Sequence, residues 1–565
     1  MNKTRNTDVA ITVRRSAKTD YWLLAAISVL ISIIATILYF RHGAILLYGD
    51  AVAHINIARR VFDSKTPGIF QLGTVWLPLP HLLMLPFIVN DKLWSSGIGG
   101  SLISMAAYVG GAIGLAKIFW TSELFSENGG DARLTGWIAA LIYLLNPNLL
   151  YLQSTAMTEP LGLALTVWAI YFYCRFVAEQ RAALLESIDE ESTRAHGEAS
   201  AKALLRCGVT LAAAMLTRYD YWFLAAIMAI AVVVHLFVQD RGLGLVRYKR
   251  GMRQKLRRKV WMFGLLLAIV PTFWLTYNQI LFGNAMEFAN GKYSASAIAE
   301  RSAQQGNPPH PGAGNLKVAA IYYWKTAQLN VGNNKAAIAV AAVASVGIVA
   351  LAFAEPLLAV LLISPFIFYT LSIAFGGIPV FIPSWWPFSY YNVRYGLQLL
   401  PAAAIGCAYL VDLIEKSSPK QAVRWGGAAF IVIVVASAYF QDLRTGPVCL
   451  REAEINSAGR VALHKQLAAE LKSLPPDATF VVSLSEHVGA FQRAGIPLRR
   501  TWNESSHRSG EQEFAFPLTR GDYVVAFDGD PVARMVAQHP EQVKPLAILH
   551  TLGEKRCVIY QVTRS

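Results

Sequence analysis

The chain has 565 residues, of which 54% are apolar and 15% charged, and a mean hydropathy of +0.38. These values exclude a single water-soluble core and make the bilayer part of the solvent. The net charge of +15 fits the cytoplasmic flanks of membrane spans and anionic lipid headgroups rather than nucleic acid, and no nucleic-acid partner is expected.

Residues 1–20 form a cytoplasmic leader with Lys3, Arg5, Arg14, Arg15 and Lys18 ahead of a first apolar span, 21–40. No small-residue cleavage site follows, so the segment reads as an uncleaved anchor. Further apolar stretches fall near 99–119, 134–147, 158–175, 203–217, 221–238, 260–281, 336–353, 357–375, 395–414 and 425–441. About eleven transmembrane helices are therefore expected over 21–441. Alternation from a cytoplasmic N-terminus places the basic run from Arg247 and Lys249 to Arg258 and Lys259 inside, with Lys416, Lys420 and Arg424, as the positive-inside rule requires. The segment 179–202, with Glu186 and Asp189, reads as a solvated cytoplasmic helix.

The same alternation puts 41–98, 148–157, 282–335 and 376–393 outside, together with the region 442–565. That last region is expected to be a small soluble α/β domain, with helices at 459–474 and 531–538 and strands at 478–484, 523–527, 546–552 and 557–562. Cys449 and Cys557 bracket it as a candidate disulfide, while Cys174, Cys207 and Cys407 lie in or beside spans as packing residues. The stretch 282–335, with Lys292, Tyr293, Gln305 and Asn307 among Gly and Pro, reads either as a mobile lid or as a plain connector.

Ionisable residues gather at the outer ends of the spans. Asp50 and His54 are four apart on one helical face, where a carboxylate beside an imidazole can take a proton or hold a metal. Trp76, in a proline-rich apolar stretch, suits the headgroup level. Glu159 precedes Pro160 at a helix start, Arg218 and Asp220 share a tight turn, and Arg394 stands between tyrosines where an outer loop enters a span. Each has a plain structural reading, as helix-start carboxylate, interfacial ion pair or snorkelling cation. Their convergence on one membrane face makes them functional candidates.

Gly49-Asp50-Ala51 followed by His54, Asn146-Pro147, Thr158-Glu159-Pro160, Leu216-Thr217-Arg218-Tyr219, Tyr277-Asn278, and Arg394-Tyr395-Gly396 with Pro401 together resemble the GT-C membrane glycosyltransferases. The similarity is greatest to the protein-mannosyltransferase and aminoarabinose-transferase type and covers roughly 20–440. The resemblance implies a multispan fold and a sugar donor carried on polyprenyl phosphate or diphosphate. It also implies an acceptor of lipid, protein or polysaccharide approaching from outside, and a catalytic aspartate matched by Asp50. On that reading Asp50 is the general base of an inverting transfer, and Arg394, Arg218 and Lys292 hold the donor phosphate. His54, Glu159 and Asp220 orient the acceptor; alternatively Asp50, His54 and Glu159 hold a divalent cation, magnesium or manganese, since the family includes both metal-dependent and metal-independent members. The expected location is a bacterial inner membrane with the site facing the periplasm. A transporter or lipid-linked sugar flippase is the alternative, and would show charges at mid-membrane rather than at span ends.

Overall fold

The computed structural model describes residues 2–563 except 122–131, 186–189, 243–249, 293, 305, 307, 377 and 507–515. Arg247 and Lys249 of the basic run, Glu186 and Asp189 of the acidic segment, and Tyr293, Gln305 and Asn307 of the long outer stretch lie outside the described residues.

Among the described residues, nine helices are long and apolar enough to cross a membrane. The helical framework runs α1 (Asn2–Arg41), α2 (Gly49–Arg60), α3 (Leu79–Ile88), α4 (Ile98–Trp120), α5 (Ala132–Leu144), α6 (Glu159–Leu185), α7 (Glu190–Met215), α8 (Asp220–Gly242) and α9 (Arg250–Phe282). It continues through α10 (Leu316–Val331), α11 (Lys335–Ala354), α12 (Pro356–Leu371), α13 (Leu400–Ser417) and α14 (Gln421–Thr445) to α15 (Val448–Ser473).

Two of the eleven expected spans do not qualify. The stretch near 134–147 becomes α5, which has 13 residues, short of the roughly 20 that cross a bilayer. It stops because Asn146 caps the next helix, Pro147–Leu152, its side chain accepting from the Leu149 N–H at 3.0 Å. The stretch near 203–217 is the apolar end of α7, whose first half carries Glu190, Glu191, Arg194 and Glu198. The segment 282–335 is also more than a loop. It contains α10, sixteen residues long, with Tyr322, Tyr323, Thr326 and Asn330 buried.

Small residues set how closely the helices approach. A Cβ on Gly347 of α11 would stand 1.9 Å from the carbonyl oxygen of Gly406 in α13, so these two backbones touch. At the start of α4 a Cβ on Gly100 would collide with Ala156 at 2.6 Å and with Ile55 of α2 at 2.7 Å. Gly100 therefore lets α2 lie directly on the membrane bundle.

The C-terminal region is a mixed sheet, β1 (Phe480–Val482), β2 (Thr501–Trp502), β3 (Tyr523–Phe527), β4 (Val543–Leu549) and β5 (Cys557–Val562). The strand order is β2-β1-β3-β5-β4, parallel from β2 to β3 and antiparallel beyond. Two more helices, α16 (Val488–Ala494) and α17 (Pro531–Gln538), connect its strands. The edge strand β2 was not expected, being two residues long, and α15 begins at Val448 rather than near 459. Cys449 and Cys557 are both free buried thiols. The Cys449 Sγ sits 3.4 Å from the Asn330 side-chain oxygen, among the membrane helices, whereas Cys557 is in β5, so no disulfide joins them.

Helix α2 is clasped between bundle and sheet domain. Asn56 donates to Gln492 of α16 at 2.7 Å, and the buried Asp63 accepts from the Leu498 and Arg499 N–H groups, each at 3.2 Å. Arg59 ties α2 down with bonds to Asp63 at 2.7 Å and to the Ile88 carbonyl at 2.6 Å.

Candidate functional site

Arg394 is delivered by a 3-10 turn, Val393–Leu399, that leads into α13. The turn packs against α10 so closely that a Cβ on Gly396 would lie 2.4 Å from the Asn330 side-chain nitrogen. That contact explains the glycine two residues after the arginine. Asn330 donates to the Val393 carbonyl at 2.7 Å, and its own carbonyl accepts from Asn146 at 2.9 Å and Asn148 at 3.1 Å. The Asn-Pro motif thus helps fix the turn.

Three faces of the buried Arg394 guanidinium are committed. Nε donates to Glu159 Oε1 at 3.1 Å, one terminal nitrogen to Glu452 at 3.1 Å and the other to Asp50 at 2.6 Å. Arg218 donates to the same Glu159 oxygen at 3.0 Å, to Asp220 at 3.1 Å and to the Tyr369 hydroxyl at 2.9 Å. Tyr369 in turn donates to Asp220 at 2.8 Å. The Tyr395 ring lies under both cations, 4.9 Å from Arg218 and 5.0 Å from Arg394. One Glu159 oxygen therefore joins two arginines, and four carboxylates converge on them. Glu159, Glu452 and Asp220 are buried, with side chains 0%, 2% and 8% exposed, but Asp50 is 40% exposed. Asp50 alone of the four presents a reachable oxygen.

His54 lies one turn beyond Asp50 with its Nδ1 2.9 Å from Nε2 of His81, and the Trp76 ring is 4.9 Å away. Burial first, then the fields of Arg394 and Arg218, push its pKa down to about 3, so the ring is neutral. His81 Nδ1 is buried without a partner. An unpaired lone pair there costs less than an unpaired N–H. On that ground His81 carries its proton on Nε2, donates to His54, and leaves His54 protonated on its own Nε2.

The structure brings Asp50, Glu159, Asp220, Arg218 and Arg394 into one network with His54 alongside. Lys292 is exposed in the turn after the short helix Glu287–Asn290 and is not among the groups that hold these carboxylates. Among the described residues, no three His, Cys, Asp or Glu side chains gather as a metal-ligand set. Asp50 and Glu159 are paired with guanidinium groups and His54 with His81. No step is assigned to a divalent cation. Glu452 was missed because it follows the last apolar span. Its signal was a carboxylate on the buried stripe of α15, shared with Val448, Cys449 and Ala453.

No protein-family model and no curated protein matches this sequence. The crystal structure of ArnT from Cupriavidus metallidurans in the apo state is similar over 96% of this chain and 98% of that one, at 12% identity and a TM-score of 0.51. The two chains share an overall fold. The same ArnT bound to undecaprenyl phosphate matches at 11% identity and a TM-score of 0.49, over 94% of this chain and 97% of that one. The archaeal oligosaccharyltransferase AglB from Archaeoglobus fulgidus, in complex with an inhibitory peptide and a dolichol-phosphate, covers 90% of this chain and 69% of its own at 11% identity and a TM-score of 0.46. The chain thus shares the overall fold of that apo ArnT structure, with nine helices among the described residues long and apolar enough to cross a membrane and a C-terminal mixed-sheet domain.

Proposed function

We propose that this protein transfers a sugar from a polyprenyl-phosphate-linked donor to an acceptor hydroxyl on the outer side of the membrane, in a bacterial inner membrane facing the periplasm. The observation that carries the reading is the single exposed carboxylate, Asp50, held by Arg394 at 2.6 Å within an otherwise buried network.

In this mechanism the free oxygen of Asp50 takes the proton of the acceptor hydroxyl. The acceptor oxygen attacks the anomeric carbon as the bond from that carbon to the phosphate oxygen breaks. The electron pair leaves with polyprenyl phosphate, and the configuration inverts. A positioned base contributes about 10²–10⁴-fold. Three of the five N–H groups of Arg394 are used by Glu159, Glu452 and Asp50, so two remain for the developing phosphate charge. His54, neutral and protonated on Nε2, offers a donor to the acceptor.

A groove of about 440 Å³ supports a lipid donor. Its walls are apolar, including Ile348, Val349, Val360, Ile363 and Phe366, and Gln328, Asn330 and Gly396 also line it. Gly396 belongs to the same 3-10 turn as Arg394, so a lipid seated in the groove with its phosphate toward that turn would approach Arg394.

The test is transfer of radiolabelled sugar from polyprenyl-phosphate donors to membrane acceptors by wild type and Asp50→Asn at matched expression. Loss of transfer with intact folding supports Asp50 as the base. Unchanged transfer overturns that role, and no transfer by wild type overturns the transferase reading in favour of a transporter.

A further inference from the structure

A second cationic cluster lies where α2, α15 and α16 meet. Arg460 and His464 are one turn apart on α15; Gly489 and Arg493 are one turn apart on α16. The two helix faces are in contact. A Cβ on Gly489 would lie 2.9 Å from His464 Nδ1 and 3.3 Å from the Val52 side chain of α2. Arg460 reaches the start of α2, donating to the Leu47 carbonyl at 2.5 Å, and a Cβ on Gly49 would lie 4.0 Å from its terminal nitrogen. It is attracted by Asp50 and repelled by Arg493.

This cluster is charged differently from the Arg394 network. Arg493 is partly buried, yet among the described residues its side chain makes no hydrogen bond or ion pair. Its neighbours Arg460 and His464 repel it rather than balance it. Glu554 is the acidic neighbour on the other side, attracting Arg460 from beyond Gly459 without forming an ion pair within 4 Å. His464 is 3% exposed and its Nε2 has no partner, and the neighbouring His487 has an unpartnered Nδ1. A half-buried guanidinium flanked by like charge is disfavoured, and a buried nitrogen without a hydrogen bond is costly. One oxyanion would relieve both, because guanidinium binds phosphate or carboxylate oxygens in pairs.

We propose that Arg493 and Arg460, with His464, form a binding site for a phosphate or carboxylate group carried by the acceptor, beside Asp50. The inference rests on the transferase reading. The acceptor is favoured over the donor because the apolar groove lies on the α10–α13 side of Arg394, whereas this cluster belongs to the α2 and sheet-domain side. An acceptor anchored here by its anion would present a hydroxyl to Asp50 without competing for the groove.

Inorganic phosphate is the first probe, with the full chain in detergent. Wild type is expected to gain thermal stability as phosphate is added. Arg493→Met is expected to unfold at a higher temperature than wild type without phosphate, and to lose most of the phosphate response. A lower unfolding temperature with an unchanged phosphate response would make Arg493 structural and overturn the site. Arg493 is the better position to change, because Arg460 also holds the Leu47 carbonyl. The second measurement separates the sources of the anion. Arg493→Met is expected to raise the KM for the acceptor about tenfold or more with the donor KM unchanged. A raised donor KM alone would overturn the acceptor assignment. Phosphate binding is read without turnover, so it can fail while transfer succeeds, or succeed while transfer fails.

Discussion

Two arginine pairs, one reaching Asp50 through Arg394 and the other lying near it through Arg460, differ in what balances them. Arg394 and Arg218 are held by four carboxylates and share Glu159. Arg460 and Arg493 have no carboxylate within ion-pair distance among the described residues. The first pair is a preorganised frame whose charge is satisfied before any ligand arrives. The second holds unsatisfied charge, which costs folding energy and is retained where a ligand supplies the missing partner. Chemical type alone does not separate the two pairs; compensation does.

The largest expected effect comes from breaking the balanced pair. Glu159→Ala removes the oxygen that joins Arg218 to Arg394 and leaves two buried guanidinium groups short of charge, an expected loss of about 3–5 kcal/mol. Thermal unfolding in detergent reads it, and a fall in midpoint no greater than that of Asp50→Asn would contradict the frame. Asp50→Asn itself should leave the midpoint close to wild type, because its side chain is 40% exposed and Arg394 keeps Glu159 and Glu452.

A smaller effect is expected at His81, which acts on His54 rather than on substrate. His81→Gln keeps an N–H donor near the same place, and His81→Leu does not. Transfer should fall about tenfold in the leucine variant and recover most of that loss in the glutamine variant. Equal loss in both would show that ring packing, not the donated proton, is what matters.

The smallest effect is a slope with pH. Burial is the main cause that lowers both His54 and His487 to about 3, from an ordinary value of 6.5. Above pH 6.5 neither ring is protonated in the folded or the unfolded chain. Below it the unfolded chain takes up protons that the folded rings refuse, so stability falls from pH 6.5 toward pH 3 by about 1 kcal/mol per ring per pH unit. The midpoint should therefore hold between pH 7.5 and 6.5 and drop below that, with a shallower drop in His487→Asn. In the transfer profile, His54 should give no inflection near pH 6.5.

Much of the fold was legible because its signals are local. Apolar length marked the spans, and turn residues with alternating apolarity marked the strands at 523–527 and 557–562, which form at those bounds. Where a signal was ambiguous, the reading slipped. α5 has the hydropathy of a span without its length, and α10 was hidden in a stretch rich in Gly and Pro whose helix buries polar Thr326 and Asn330.

The sequence by itself determined that the chain is threaded through a bilayer, and that Asp50, Glu159, Arg218, Asp220 and Arg394 stand at the ends of helices. Hydropathy and charge act residue by residue, so they can be read without the fold. Only the tertiary structure decided how these charges pair. It sent Glu452 from the α15 face into the bundle, 58 positions along the chain from Arg394 and 3.1 Å from it, and left Arg493 without a counter-ion among the described residues. Pairing is a distance between residues far apart in sequence, and in a low-dielectric interior that distance determines whether an arginine braces the site or waits for a ligand.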